Sequence, residues 1–286
     1  MSKNSFKKRM NRFILHARID FRKSRWLFIV YLVLRMLVIG IMILQLLNNN
    51  YWDVFLCILT LVLFMIPSFV EKRIKIDVPD TLEIIILLFI FAAEVLGEMG
   101  EYYVTYPYWD TILHTVNGFL CAAIGFSMIN ILNNNEKFAL KASPLFAALM
   151  ALCFSMTIGV LWEFFEFSMD ALLGTDMQKD TVVTTINSVY LNPEGKNTPY
   201  TIEVESVVVN GEEWDIGGYL DIGLIDTMRD LFVNFVGAVV FSIIGYFYVK
   251  RQNESWLMDH LLPSKIGAGS SEPPPEDGVA VINEDG

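Results

Sequence analysis

The sequence predicts an all-α fold: a polytopic transmembrane bundle of about six helices, with a small β-rich extracytoplasmic loop and a disordered C-terminal tail. Of the 286 residues, 54% are hydrophobic and the mean hydropathy is +0.45, which exceeds what a soluble chain of this length needs for its core. Six stretches approach the roughly 20 apolar residues that cross a hydrocarbon layer of about 30 Å. Lys and Arg are concentrated in alternate connections between these stretches, as in a chain that crosses the membrane repeatedly.

The first five predicted helices lie within residues 26–173. The first two are joined by three asparagines, residues 48–50, and so short a turn makes them an antiparallel pair. The third is short and carries Glu83 and Glu94, so it crosses only if these acids reach the interface or face protein. The predicted ranges are 26–47, 52–70, 82–97, 110–132 and 144–173, and the sixth helix covers residues 226–250.

The distribution of Lys and Arg predicts the orientation. Nine lie in residues 1–25, three in 71–81 and two in 133–142, whereas the connections 48–51 and 98–109 have none. Because cytoplasmic loops carry the excess of Lys and Arg, six helices with both termini in the cytoplasm reproduce this alternation and five helices do not. The sequence therefore predicts a multi-pass protein of the cell membrane with a basic cytoplasmic N-terminal segment.

Two segments lie outside the predicted bundle. The loop 174–225, with nine acids against two lysines, falls on the outer side. Runs of β-branched and aromatic residues at 182–191 and 200–209, followed by Asn210-Gly211, predict a small hairpin or three-stranded cap, and we expect this loop to meet an extracytoplasmic partner. The acidic segment 251–286 lacks the apolar content to fold, so we expect a disordered cytoplasmic tail.

Ionisable side chains are grouped along the last three predicted helices. Within each helix they are three or four residues apart, so each set forms one helical face. Charges at membrane depth are costly, and the predicted topology brings all three faces to the outer side. The sets are Asp110, His114 and Asn117 on the fourth helix, Glu163, Glu166 and Asp170 on the fifth, and Asp226, Asp230 and Asn234 on the sixth.

Two kinds of chemistry explain why these residue types would be gathered. Several carboxylates with an imidazole suit a divalent cation such as Mg²⁺, Mn²⁺ or Zn²⁺, which would activate water or a phosphate ester. Without a metal, close carboxylates would hold protons and act as acid, base or proton relay. The predicted catalytic residues are His114, Glu163, Glu166 and Asp230, and the predicted metal ligands are these four with Asp110 and Asp226.

A structural role is the alternative for three of the acids. Asp110 and Asp226 stand where helix N-caps belong, and Asp170 lies near an interface, where a charge costs little. Capping does not explain the four predicted catalytic residues, because they lie further along apolar helices. Small residues beside these faces, such as Gly118 and Gly237, predict close helix packing.

Three motifs carry a resemblance to a known family. W-D-x-x-L-H-x-x-x-G (109–118), W-E-x-x-E-x-x-x-D (162–170) and D-T-x-x-D-x-x-x-N-x-x-G-A (226–238) resemble the YjdF family of uncharacterised bacterial inner-membrane proteins over most of residues 26–250. A looser version of the pattern is similar to the VanZ-like proteins linked to glycopeptide-antibiotic resistance. The resemblance implies a bacterial inner-membrane protein and supplies no reaction. It implies a polar signature made of Asp110, His114, Glu163, Glu166, Asp226, Asp230 and Asn234.

The chain departs from the family pattern at one place. In the pattern, a Met-Gln pair runs almost directly into Asp-Thr, whereas here about 45 residues separate Met177-Gln178 from Asp226-Thr227. The inserted residues are those of the predicted β-rich cap. The resemblance therefore implies a subgroup whose cap has its own external partner.

Three functional hypotheses follow. The leading one is an outer-leaflet polar site that binds or processes an envelope substrate, a lipid head group or polyprenyl-linked intermediate, with a divalent metal as cofactor and membrane lipid as partner. The second is a proton-coupled transporter. The inner halves of helices four to six have almost no ionisable residues, which argues against this hypothesis. The third is a structural scaffold or accessory subunit. Nucleic acid is excluded, because its binding needs a basic face.

Overall fold

Helices make up most of the computed structural model, which describes residues 25–74, 76–133, 141–251 and 261–265. The predicted basic N-terminal segment up to residue 24 and most of the predicted disordered tail lie outside the described residues. The helices are α1 (Arg25–Leu47), α2 (Tyr51–Leu63), α3 (Ile66–Ile74), α4 (Asp80–Phe91), a π-helix (Ala92–Met99), α5 (Tyr102–Thr105), α6 (Trp109–Asn133), α7 (Pro144–Leu173) and α8 (Leu224–Arg251).

Five helical segments of the described chain are long and apolar enough to cross a membrane. Four of them, α1, α6, α7 and α8, match the predicted spans to within two residues at either end. The fifth, Tyr51–Phe69, joins α2 to the start of α3. These helices confirm the predicted transmembrane bundle, while its orientation in the membrane stays a prediction.

The third predicted span is helical but changes type along its length. Residues 80–91 form α4, and the chain continues as a π-helix from Ala92 to Met99. π-Helical segments are rare in proteins, and those that occur are often found at functional sites. This one carries Glu94, whose side chain is only 3% exposed. The change of helix type separates this span from the five longer ones, and its passage across the membrane stays a prediction.

Helices α6 and α8 touch through their backbones. A Cβ atom added at Gly118 would lie 2.0 Å from the carbonyl oxygen of Asn234, and one added at Gly237 would lie 2.0 Å from that of Thr115. On the third side of this bundle, Ser155 of α7 donates its hydroxyl to the Gly118 carbonyl at 2.8 Å. The close packing predicted from the small residues is confirmed.

Three apolar clusters stabilise the described helices. One fills the space between α6, α7 and α8 and includes Phe126 and Phe241, whose rings meet edge to face at 5.9 Å. Another joins α1, α2, α4 and the π-helix around Val38, Phe64 and Leu87. A third, smaller cluster packs Leu82 of α4 against Leu120 of α6 and Leu261, and so joins the two groups of helices.

The inserted loop forms three small two-stranded antiparallel sheets among the described residues. The strands are β2 (Val182–Val183), β3 (Thr185–Ser188), β4 (Tyr200–Glu203), β5 (Val207–Val209), β6 (Glu212–Trp214) and β7 (Tyr219–Leu220); β1 (Ile76–Asp77) and β8 (Ser264–Lys265) pair elsewhere. Strand β2 pairs with β7, β3 with β4 and β5 with β6. The small β-rich cap is confirmed, but its strands are shorter than predicted and form pairs rather than a three-stranded sheet.

The predicted Asn210-Gly211 turn joins β5 to β6. Both residues have positive φ, 57° and 90°, as a two-residue hairpin turn requires. The first predicted strand, in contrast, ends early, because residues 189–191 form a 3₁₀ turn whose Tyr190 N–H is capped by the Ser188 hydroxyl. A local side-chain cap here competes with continued strand pairing.

Candidate functional site

Three predicted ligands come together where the first turns of α6 meet α8. His114 Nε2 lies 3.4 Å from Asp110 Oδ1, one turn earlier on α6, and 3.8 Å from Asp230 Oδ2 on α8. One ligand atom from each of the three residues lies within 4.8 Å of the other two. The backbone contact between α6 and α8 brings these side chains together from two helices. We call Asp110, His114 and Asp230 the triad.

Glu163 of α7 lies beside the triad but outside this group of ligand atoms. Its side chain is 4% exposed, and its Oε2 lies 3.5 Å from Gln178 Nε2. The same Gln178 nitrogen donates to the Thr227 hydroxyl of α8 at 2.5 Å. A residue just beyond the end of α7 therefore bridges Glu163 to the start of α8.

The other two predicted ligands also lie outside the triad, each with a donor of its own. Glu166 Oε1 accepts a 2.8 Å hydrogen bond from Trp162 Nε1, one turn earlier on α7. Asp226 Oδ2 accepts the backbone N–H of Lys179 at 2.8 Å. The charges of Glu163 and Asp226 nevertheless act on His114 electrostatically.

The capping role expected for Asp110 and Asp226 is wrong. Helix α6 begins at Trp109 and α8 at Leu224, so both aspartates lie inside the first turn rather than at the N-cap. The carboxylate of Asp221 instead accepts the Ile225 N–H of α8 at 2.7 Å and the Thr181 N–H, also at 2.7 Å. That carboxylate therefore ties the two ends of the inserted loop together.

Asp170 shapes the chain after α7, as a structural role predicts. Its carboxylate accepts the Thr175 hydroxyl at 2.6 Å and the backbone N–H groups of Met177 and Gln178 at 2.7 and 2.9 Å. The helix ends at Gly174, which has a φ of 66°, and the chain turns back over the site. These bonds place Gln178 against Glu163.

Some buried carboxylate oxygens of this region have no hydrogen-bond partner among the described residues. They are Oδ1 of Asp230, Oε1 of Glu163 and Oε2 of Glu94, and all three side chains are at most 4% exposed. A buried acceptor without a partner is costly, and more so when it is charged. Several carboxylates lie around His114, so their charges are costly unless a cation or bound protons compensate them.

A cavity of about 410 Å³ lies between α4, the π-helix, α6 and α7, and the segment 63–67 and Pro263 also line it. Its volume is within the usual range of small-molecule sites. Most of its wall is apolar, including Leu82, Ile86, Leu120, Ile124 and Ile158. The wall residues with polar groups are Glu94, Tyr103, His114, Asn117, Cys121 and Trp162. Because His114 belongs both to this wall and to the triad, the cavity is continuous with the candidate site.

Four residues at the site or in the cavity wall were not predicted from the sequence: Gln178, Lys179, Tyr103 and Trp162. Gln178, Lys179 and Tyr103 lie beyond the ends of the predicted helices, so the sequence alone places them in solvent-exposed loops. The Met177-Gln178 pair was visible as a motif, but its contact with Glu163 depends on the turn made by Asp170. Trp162 adjoins Glu163 in sequence, and its role became evident only from the hydrogen bond to Glu166.

Comparison with known proteins identifies the family. The family model described as "Predicted membrane protein (DUF2238)" matches residues 27–251. The chain belongs to the DUF2238 family. The match thus covers the described helices that are long enough to span a membrane, except for residues 25–26, together with the triad and the inserted loop.

One relative of this DUF2238 protein is an uncharacterised protein from Thermotoga maritima. The two are 29% identical over 107 residues, which cover 37% of this chain and 53% of the relative. The chain thus spans about half the length of the curated relative it matches. No solved structure matches the chain.

Proposed function

We propose that the triad holds a divalent cation and that this cation binds the phosphate-bearing head group of a membrane lipid or lipid-linked envelope intermediate. The observation that supports the proposal is the meeting of Asp110, His114 and Asp230 ligand atoms within 4.8 Å of one another. It is strengthened by Asp230 Oδ1, which is buried and has no partner among the described residues.

The distances suit a metal ion after a small adjustment. Zn²⁺ binds His nitrogen and carboxylate oxygen at about 2.1 Å, so neighbouring ligand atoms of a tetrahedral site lie roughly 3.4 Å apart. His114 Nε2 is 3.4 and 3.8 Å from its two carboxylate oxygens. A rotation of the Asp230 side chain toward His114 would complete three ligands and leave a fourth position for water or substrate.

The ligand types favour Zn²⁺ or Mn²⁺ over Mg²⁺. Imidazole is a good ligand for zinc, and carboxylates suit manganese and magnesium, so one nitrogen with two carboxylates is a mixed set. Mg²⁺ prefers oxygen ligands and keeps most of its water. Three protein ligands with an open position are typical of catalytic rather than structural metal sites.

The location of the triad favours a lipid substrate. It lies on membrane-spanning helices and adjoins an apolar cavity, so a ligand that reaches both has a polar and an apolar part. A bound cation would neutralise a phosphate and activate water against it. Glu163, whose buried Oε1 has no partner among the described residues, would serve as acid or base. The kinship with YjdF-like and VanZ-like proteins, which remains our proposal, agrees with an envelope substrate.

Elemental analysis of the purified protein tests the metal. We expect about one zinc or manganese per chain in the unsubstituted protein and loss of it in His114→Ala and Asp230→Asn. Asp215→Asn, in the exposed part of the cap, is the matched control and should keep the metal. An equally low metal content in the unsubstituted protein and both triad variants, even after dialysis against Zn²⁺ and Mn²⁺, would reject the cation site.

A structural scaffold is the second candidate, because one part of the polar face has a packing role. Asn117 Nδ2 donates to Asn234 Oδ1 at 3.0 Å across the α6–α8 contact, and Asn234 is fully buried. If His114→Ala and Asp230→Asn lowered only the melting temperature in detergent, this function would replace the metal-dependent one. The proton-coupled transporter stays a prediction.

A further inference from the structure

We propose that the cavity beside the triad binds one hydrocarbon chain of an amphiphilic lipid whose head group reaches His114. This inference rests on the proposed function for the position of the head group. The chain-binding cavity itself is defined by other residues, and it is tested separately from the metal. The occupant would be a phosphate-bearing membrane lipid taken from one leaflet.

The α6 wall of the cavity is about as long as one leaflet is thick. It runs from Leu113 to Ile124, and at about 1.5 Å per residue this part of the helix spans about 16 Å. Half of a hydrocarbon layer of about 30 Å is about 15 Å, so a lipid chain bound from its own leaflet would cover this wall. The opposite wall is longer, because it begins at Val78, just before α4, and reaches Glu94 of the π-helix.

The width allows one chain. A volume of about 410 Å³ over a length of about 16 Å gives a mean width of roughly 6 Å. Carbon atoms pack at about 3.5–4.0 Å from one another, so a hydrocarbon chain fits between the walls. A compact polar substrate would leave most of the apolar wall without a partner.

The polar groups of the wall match the position of a head group. His114 and Asn117 occupy the first turns of α6, and Glu94 occupies the far end of the facing helix. The wall further along α6, at Leu120 and Ile124, is apolar. Glu94 Oε2 is buried and has no partner among the described residues, so it would accept a hydrogen bond from a hydroxyl or amine of the head group, while the phosphate would bind at the triad.

The exposed residues of the wall indicate a lateral opening. Ile66 and Leu161 line the cavity and are also 47% and 55% exposed, whereas the other wall residues of the described chain are more covered. Both lie on helical segments long and apolar enough to cross a membrane. A lipid would therefore enter sideways from the bilayer and would not need to leave the membrane.

Lipid retention after purification tests the chain site. The full-length protein is purified in mild detergent, its bound lipid is extracted and counted per chain by mass spectrometry, and its metal content is measured on the same sample. Ile158→Trp on α7 and Ile124→Trp on α6 fill the cavity from two walls. Leu149→Trp on α7 and Leu132→Trp on α6, which lie outside the cavity wall, are the matched controls.

We expect about one phosphate-bearing lipid per chain in the unsubstituted protein and both controls, and at least tenfold less in the two cavity-filling variants, with unchanged metal content. Equal retention in the cavity-filling variants, or no retained lipid in the unsubstituted protein, would overturn the inference. Retained lipid without metal would overturn the proposed function and leave the chain site standing.

A second measurement needs no substitution, so it remains decisive if the tryptophan variants do not fold. A phospholipid with a photoreactive group near the end of one chain is reconstituted with the unsubstituted protein and irradiated. We expect the labelled peptides to be those containing Ile124 and Ile158. Labelling spread evenly over exposed residues such as Leu149 would mean ordinary annular lipid and would contradict a bound chain.

Discussion

The backbone of Asn234 lies so close to Gly118 that a Cβ atom at residue 118 would be 2.0 Å from its carbonyl oxygen. One turn from this contact, the same two helices carry His114 and Asp230, which face each other at 3.8 Å. The separation of the two helices thus sets the separation of the triad residues. Any group larger than a hydrogen atom at residue 118 has to move α8 away from α6.

Gly118→Ala should therefore destabilise the protein. Overpacking of a well-packed core costs about 1–3 kcal/mol, and the neighbour here is backbone that cannot rotate away. Thermal unfolding in detergent should show a clearly lower melting temperature. Gly40→Ala on α1, where an added Cβ meets nothing within 4 Å, is the control and should be neutral or stabilising. Equal melting temperatures of the two variants would contradict the close contact.

Stability at the base of the inserted loop should depend on pH through Asp221. Burial alone would raise the pKa of Asp221, but the N–H groups of Thr181 and Ile225 outweigh it and hold this pKa below its ordinary value. Because the folded pKa is depressed, the stabilisation is complete above the unfolded value of about 3.9 and is lost as pH falls through the folded one.

Limited pepsin digestion across this acidic range checks the dependence. Cleavage within the loop should rise steeply as the pH falls. In Asp221→Asn, which keeps only one acceptor oxygen and does not titrate, the loop should be cut at every pH and the steep rise should disappear. An unchanged pH profile in the variant would assign the effect to another group.

The inserted loop should be removable without loss of the site. Thr181 and Asp221 are hydrogen-bonded to each other at its base, and Gln178 and Lys179 already contact Thr227 and Asp226. Replacing residues 182–220 by Asn-Gly, a tight-turn pair, should leave the melting temperature of the bundle and its metal content nearly unchanged. Loss of metal in this variant would mean that the cap contributes to the site.

Glu163 should act beside the cation and not as a ligand to it. Its Oε2 lies 3.5 Å from Gln178 Nε2, and its oxygens lie outside the triad's group of ligand atoms. Glu163→Gln should therefore lower the affinity for Zn²⁺ or Mn²⁺ by no more than about 10–100-fold, as changes to groups around the ligands do. His114→Ala should lower this affinity more. Competition titration with a metal indicator measures both. An equal loss of metal affinity in the two variants would indicate that Glu163 is a fourth ligand.

The fold was predictable where apolar length decides it. Both ends of α7 follow from the sequence, because Ser143 caps the helix, Pro144 begins it and Gly174 ends it. The shift from α4 to a π-helix at Ala92 was not predictable, because no residue pattern marks it. The ends of α6 and α8 were predicted to within two residues. Because both helices begin one or two residues earlier than predicted, Asp110 and Asp226 lie inside the first turn and not at the N-cap.

The candidate site was predictable in composition and not in geometry. Spacing of four residues places Asp110 beside His114, and this neighbourhood is present in the fold. The choice among the acids of the other helices depends on how α7 and α8 rotate about their axes. That rotation depends on the glycine contacts of α8 and on the turn held by Asp170. Neither can be predicted from the residue pattern of one helix.

The measurement that tests the central claim most directly is anomalous diffraction from crystals grown with Zn²⁺ or Mn²⁺, with data collected above and below the metal edge. The account predicts one anomalous peak about 2.1 Å from His114 Nε2 and from one oxygen each of Asp110 and Asp230. A His114→Ala crystal should lack it. A map without a peak between these three residues, or with a peak elsewhere in the chain, would contradict the account.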